Sequence, residues 1–308
     1  MHLFSTSLQS AVRPRLACEI APDGILAGGS SRVDSPLDAA VFVPLPAGSV
    51  TVGVAAPVFR DSNALQSALE SALDSIDSRG RDWTLILPDA CTRVHILDFD
   101  TLPAKPQEIL PLVRFRLRRM LPFDADAAAV SYQLLNPSNA ANKNGIVQVI
   151  AAAMPAETRD EVESIMRSAQ REPGVLLPAT LAAMAALPDT GSHLLVHTEQ
   201  DSMTTAITHN GELLLYRTTD RTNTEPGDRT QAILVAAAYY EDRLHVPLEE
   251  VWVAGLESTE VLRQHLAADG TWQIPLRSLV NSQSFSASAV PSQVEPGRFT
   301  SVVGALRG

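Results

Sequence analysis

Residues 117–132 read LRRMLPFDADAAAVSY, and the fold reading starts from what surrounds them. Upstream, Ile109, Leu112, Val113, Leu117, Met120 and Leu121 recur at helical spacing, which predicts a helix over Gln107 to Leu121. Pro111 falls inside that pattern, so either the helix begins nearer to it or it is kinked there, because proline removes a backbone donor and crowds the preceding turn. Pro122 ends the helix. Downstream, Val130 to Leu135 reads as a strand, and Ile146 to Ala153 as a second one reached through the polar turn Asn136 to Gly145. With Arg93 to Phe99 as a preceding strand, the stretch from about 92 to 153 is a strand-helix-strand-strand unit.

Before this unit, short apolar runs alternate with turns: Leu16 to Ile20, Ile25 to Ala27, Val41 to Leu45 and Val50 to Ala55, separated by Pro22-Asp23-Gly24 and Ala47-Gly48-Ser49. They read as a strand meander. A helix follows, with Leu65, Ala68, Leu69, Ala72, Leu73 and Ile76 on one face and Asp61 or Ser62 as its cap. Trp83 to Leu87 is a short buried strand. After the unit come a helix carrying Val162, Ile165, Met166 and Ala169, a strand at Val175 to Leu177, and an Ala-rich helix from Ala179 to Leu187. Pro188-Asp189-Thr190-Gly191 then marks a boundary.

Beyond it, His193 to Thr198, Met203 to His209 and Glu212 to Thr218 form a second meander with an Asn210-Gly211 hairpin turn. Arg221 to Asp228 is polar and expected to be mobile. A long helix over Arg229 to Leu244, a buried strand Val251 to Ala254, a short helix capped by Ser258 and a serine-rich surface loop Ser278 to Pro296 complete the chain. Both halves open on a three-strand meander later covered by helices. The expectation is an α/β chain of two lobes, 1–190 with the inserted unit and 191–308.

Hydrophobic residues make up 45% and charged ones 19% of the 308 residues, a composition that folds. With 24 basic against 35 acidic side chains the formal net charge is -11, which disfavours generic nucleic-acid binding. Cys18 and Cys91 are too few for a disulfide framework and fit a reducing cytoplasm. Met1 to Arg15 lacks a continuous apolar core and carries Arg13 and Arg15 after its mildly apolar stretch, so no secretory leader is expected. The longest apolar runs, Ile146 to Ala153 and Ala232 to Tyr240, are well short of a membrane span.

The helix ending in Leu121-Pro122-Phe123 before a strand resembles the inserted subdomain of the PilM-like type IV pilus assembly proteins. Val147 to Met154 followed by an amphipathic helix, the AAYYEDRL helix end at Ala237 to Leu244, and the ending SVVGALRG at Ser301 to Gly308 extend the resemblance over most of the chain. It implies an actin-like (ribonuclease H-like, duplicated) fold, shared with the cell-division protein FtsA and the cytoplasmic domain of the secretion protein GspL. In that fold ATP lies between the lobes, held by two hairpin loops with an Asp-x-Gly step: the acid holds magnesium and the glycine lets backbone N–H groups approach phosphate.

Here the first loop aligns as Glu19-Ile20-Ala21 and the second as His197-Thr198-Glu199, while the adenosine-side Gly-Gly is Gly255-Leu256. All three depart from the pattern, so the nucleotide site built on Glu19, Ala21, Glu199 and Gly255 is expected to be vestigial, with ATP and magnesium bound weakly or not at all and no enzymatic activity. The resemblance further implies a cytoplasmic scaffold peripheral to the bacterial inner membrane. Its partner would be the extended tail of a PilN-like bitopic protein, lying in a groove walled by Arg93 to Phe99 and the Gln107 to Leu121 helix, with a pilus motor ATPase and self-association as further contacts.

Other constellations carry sharper and blander readings. Glu19 and Glu199 can be imagined sharing a metal, against ordinary solvation of strand ends. His193, His197 and His209 invite zinc, but spacings of four and twelve along strands do not by themselves converge three rings. A slow ATPase or sugar kinase would require a catalytic aspartate near the cleft, for which Asp201 and Asp228 are candidates. No nucleophile elbow, phosphate-cradling Gly-Lys loop or paired-histidine metalloprotease motif is present, and Gly28-Gly29-Ser30-Ser31 reads as a turn. Arg114, Arg116, Arg118 and Arg119 crowd one stretch of an acidic chain; they either complement a helix C-terminus or form a docking surface for an acidic partner or anionic lipid.

Overall fold

The computed structural model describes residues 14–33, 35–54, 59–135, 145–220, 226–267 and 272–307, leaving out the side chains of 226–228. Arg13, the end of the Val50 to Ala55 run, most of the Asn136 to Gly145 turn and the side chains of Arg221 to Asp228 therefore lie outside the described residues. The first lobe runs β1 (Leu16–Ala21), β2 (Gly24–Gly29), β3 (Ala39–Pro44), α1 (Ser62–Asp77) and β4 (Asp82–Leu87). Next come β5 (Arg93–Phe99), α2 (Pro106–Leu117), β6 (Ala129–Leu134), β7 (Val147–Met154), α3 (Ala156–Ser168), β8 (Glu172–Pro178) and α4 (Ala179–Met184). The second lobe contributes β9 (Ser192–Thr198), β10 (Ser202–His209), β11 (Glu212–Asp220), α5 (Pro226–Leu244), β12 (Val251–Gly255), α6 (Thr259–Ala267), β13 (Leu276–Ser278) and, at the end, α7 (Thr300–Arg307).

Two sheets have the same construction. In the first the order is β3-β2-β1-β4-β8 and in the second β11-β10-β9-β12-β13. Each places an antiparallel meander beside two parallel strands reached through helical crossovers. The duplication expected from the two meanders is thus a duplication of topology. The third sheet, β5-β7-β6, is antiparallel and carries α2 on one face, with Val113 and Leu117 packed against Leu97, Phe99 and Val149.

Local chemistry accounts for the elements and for the departures. Asp61 caps α1, its carboxylate accepting from the Ala64 N–H at 3.0 Å. Pro111 sits inside α2, but the helix stops at Leu117, four residues earlier than its apolar pattern suggested. Leu121 precedes a proline and resists helical backbone, and the chain closes in a turn in which the Met120 and Leu121 N–H groups both donate to Leu117 O, so that Leu121 and Phe123 pack back on the sheet. Val50 makes one isolated bridge with Phe59 in place of a fourth strand. Gly28 and Gly29 belong to β2 rather than to a turn. A Cβ on Gly28 would lie 2.9 Å from Val302 Cγ1, so the position admits the close approach of α7.

The serine-rich segment after β13 runs along the surface but is pinned to the body of the protein. Leu279, Val280, Phe285 and Ala289 are buried, and Leu37 and Ser286 N–H groups tie it to the turn between β2 and β3. Its small polar residues concealed four apolar anchors. From there α7 packs onto α4 and β1, carrying the chain's end back to the first lobe. Consequently one apolar cluster joins Leu26 and Ile86 of the first lobe, Leu195 and Ala206 of the second, and Phe299 and Val302 near the end. Among the described residues no helix is long and apolar enough to cross a membrane.

Candidate interlobe site

Glu19, Ala21, Glu199 and Gly255, predicted from loop alignment alone, line one small cavity between the lobes, together with His197 and Arg298. Glu19 arrives on β1, Glu199 just past the end of β9, and Gly255 at the end of β12. The parallel pairing of β9 with β12 sets Gly255 opposite Thr198. Gly255 has φ +90°, and a Cβ there would stand 2.1 Å from Thr198 O, so glycine is required by packing at this position. The Leu256 N–H donates to Thr198 O at 2.7 Å and the Glu257 N–H to Thr198 Oγ1 at 2.9 Å. That loop is therefore satisfied from within.

Bonded to Glu199, though not itself lining the cavity, is a residue the sequence reading did not single out, Asp89, in the turn after β4. It is buried and accepts from the Thr180 N–H (3.1 Å), the Thr180 hydroxyl, the Thr204 hydroxyl (2.6 Å) and the Tyr216 hydroxyl (3.2 Å). Thr180 comes from α4 in the first lobe, whereas Thr204 and Tyr216 come from β10 and β11 in the second. The Asp89 N–H donates to Glu199 Oε2 at 2.9 Å, and Ser202 donates to the same oxygen at 2.6 Å. His197 Nδ1 is 2.7 Å from Thr180 Oγ1 and 3.9 Å from Asp89 Oδ2, so the hydroxyl stands between ring and carboxylate. Arg298 completes the rim, holding Asp23 at the β1–β2 turn through two contacts of 2.8 and 2.9 Å.

The electrostatics follow from burial and neighbours. Burial pushes the Asp89 carboxyl up, but the adjacent His197 and the threonine hydroxyls outweigh it and leave Asp89 below the ordinary carboxylate range. His197 is itself raised: burial opposes its charge, and the surrounding acids Asp89, Glu199 and Glu19 more than compensate. Burial, reinforced by the Asp89 charge, pushes Glu199 up to about 8. Burial raises Glu19 as well, and its Oε2 has no hydrogen-bond partner among the described residues.

These residues do not fit a magnesium-bound triphosphate. The cavity measures about 30 Å³, room for about one water, whereas small-molecule sites occupy roughly 300–1,000 Å³. Three carboxyl groups line it, Glu19, Asp23 and Glu199; Ala21 and Glu199 stand where the phosphate loops would have glycine, and Asp23 and Glu199 are already engaged by protein donors. The histidines do not converge either: His193 Nε2 contacts Thr190 O, His209 Nδ1 contacts Ser192 Oγ, and His197 is committed to Thr180. Among the described residues no group of three His, Cys, Asp or Glu side chains is arranged to hold a metal. Asp201 lies in the β9–β10 turn, two residues past Glu199, and the side chain of Asp228 is outside the described residues.

The arginines divide into two groups. Arg114 faces inward, its Nη1 donating to the Ala125 and Ala128 carbonyls and so tying down the loop before β6. Arg116 lies over the Phe99 ring at 5.4 Å, Arg118 pairs with Asp126 at 2.9 Å, and Arg116, Arg118 and Arg119 are exposed.

The repeated sheet order, the interlobe cleft and the inserted unit define an actin-like fold. Over nearly its whole length the chain is similar to a solved structure of the PilM-PilN type IV pilus biogenesis complex, with 18% identity, 96% of this chain and 99% of that chain covered, and a TM-score of 0.75. It is also similar to the cytoplasmic domain of EpsL, an inner-membrane component of the type II secretion system of Vibrio cholerae (12% identity, 95% and 94% covered, TM-score 0.50). Likeness at these identities establishes the fold. Neither a family model nor a curated protein matches the sequence.

Proposed function

We propose that this chain is a nonenzymatic PilM-like scaffold of a type IV pilus or related secretion platform. In this reading it works at the cytoplasmic face of the inner membrane and holds the extended cytoplasmic tail of a PilN-like bitopic membrane protein. The observation that carries the reading is the likeness to the PilM-PilN structure over nearly the full length of both chains, inserted unit included. The degenerate cleft supports the nonenzymatic part. Where an actin-like ATPase would close its lobes around nucleotide, this chain closes them with Asp89, Glu199, Thr204 and Tyr216. The tail would lie between the first lobe and the inserted unit, along β5 and α2, and strand-edge capture suits an extended peptide.

The test is photocrosslinking in cells from Asp98, exposed on β5. The reading expects a crosslink to a single-span membrane protein, lost when that protein's cytoplasmic tail is deleted. No such adduct, with the protein folded and abundant, contradicts it. A motor ATPase contact and self-association remain part of the proposal, to be read from the same crosslinks.

A further inference from the structure

The end of α2 carries a surface that the scaffold reading leaves unused. Ile109, Val113 and Leu117 bury one face of the helix, and at 100° per residue Phe115, Arg118 and Pro111 point the opposite way. Phe115 is 62% exposed and Met120, in the turn just beyond, 44% exposed. Two large apolar side chains this open, five residues apart, are not explained by the core. Around them stand the exposed Arg116, Arg118 and Arg119, with the Arg118 guanidinium 5.9 Å from the Phe115 ring centre. Residues 114–126 hold four arginines against two aspartates, Asp124 and Asp126, so this stretch is net positive in a chain of formal net charge -11.

We propose that this helix end is a direct contact surface for an anionic lipid bilayer, with Phe115 and Met120 entering the headgroup layer and Arg116, Arg118 and Arg119 meeting lipid phosphates. The mixture of residue types favours a bilayer over an acidic peptide. Guanidiniums alone would serve a peptide's carboxylates, but exposed Phe and Met between them match a surface that is phosphate-rich outside and apolar immediately beneath. The net positive stretch sets the orientation of approach, since the chain as a whole, at formal net charge -11, is repelled by anionic lipid. Arg114, bound to the Ala125 and Ala128 carbonyls, holds the loop that follows this surface.

Co-sedimentation of the full chain with vesicles tests this. Vesicles containing phosphatidylglycerol are expected to carry the protein down and vesicles of phosphatidylcholine alone are not, with binding weakened by added salt. Arg118→Glu with Arg119→Glu, and separately Met120→Ser, all in the exposed turn beyond α2, are each expected to lower the bound fraction by about tenfold at unchanged melting temperature, while leaving the Asp98 crosslink to a membrane partner in place. Equal binding to neutral vesicles, no binding to anionic ones, retention of binding in the folded variants, or capture of acidic peptides but not of vesicles overturns it.

Discussion

The backbone N–H of Asp89 in the first lobe donates to the Oε2 carboxyl oxygen of Glu199 in the second at 2.9 Å. This contact, with the hydroxyls of Thr204 and Tyr216 on the Asp89 carboxylate, joins the lobes beside the small cavity lined by Glu19, Ala21, Glu199 and Gly255. The lobe closure is therefore written into the chain itself.

Removing Asp89 should be expensive for the fold. Asp89→Ala leaves the Thr180 N–H and three hydroxyls without their acceptor in a buried site. A loss of about 3–5 kcal/mol is expected in urea unfolding, the range for breaking a buried charged network. A loss within about 0.5 kcal/mol, that of an ordinary surface substitution, would show that the network does not join the lobes.

Stability should fall as pH rises from about 5 to 8. Glu199 titrates near 8 in the folded chain and near its ordinary 4.5 when unfolded. Across that window the native state holds a proton the unfolded chain has released, and stability declines by about 1.4 kcal/mol per pH unit for each such proton. His197, raised above 6.5, acts in the same direction above that value. Asp89, lowered from 3.8, contributes stability that is lost only as pH drops through its depressed folded value. Melting temperatures measured across the range should decline, and Glu199→Gln should flatten the part below 6.5. A rising profile contradicts the assignment.

Two glycines should not tolerate even a methyl group. A Cβ on Gly304 would lie 2.1 Å from Ala182 O where α7 meets α4, and one on Gly255 would lie 2.1 Å from Thr198 O. Gly304→Ala and Gly255→Ala are each expected to destabilise by about 1–3 kcal/mol in denaturant melts, the second also through its positive φ. Gly48→Ala makes a useful contrast, since it combines positive φ with no neighbour within 4 Å.

The arginines should separate by role. Arg114→Ala removes the donor that holds the Ala125 and Ala128 carbonyls and should destabilise by about 1.5–3 kcal/mol, the worth of charged hydrogen bonds. Arg119→Ala, at an exposed position, should change stability by less than about 0.5 kcal/mol. Thermal melts of the pair decide the point.

Much of the architecture was legible because periodicity and turn chemistry are local. The α1 face, the Asn210-Gly211 turn and the strand-helix-strand-strand unit each follow from residues within one window. What was hidden depended on distant partners. Nothing near Asp89 in sequence announces it, since its ligands are 91 to 127 residues away; only a lone acid directly after the buried Trp83 to Leu87 strand hints at a special position. Leu279 and Phe285 were masked by serines, and the inward role of Arg114 by its arginine neighbours. Loop alignment did bring Glu19, Ala21, Glu199 and Gly255 to one cavity, because equivalent strand ends in a duplicated fold meet at the interlobe cleft.

The most direct test of the central claim, that the lobes are closed by their own side chains instead of by nucleotide, is calorimetric titration of the full chain with Mg-ATP, paired with a thermal shift. No saturable heat and no shift are predicted. Saturable binding at low micromolar affinity, with the stabilisation of about 2.7 kcal/mol due at a hundredfold excess over the dissociation constant, would contradict it.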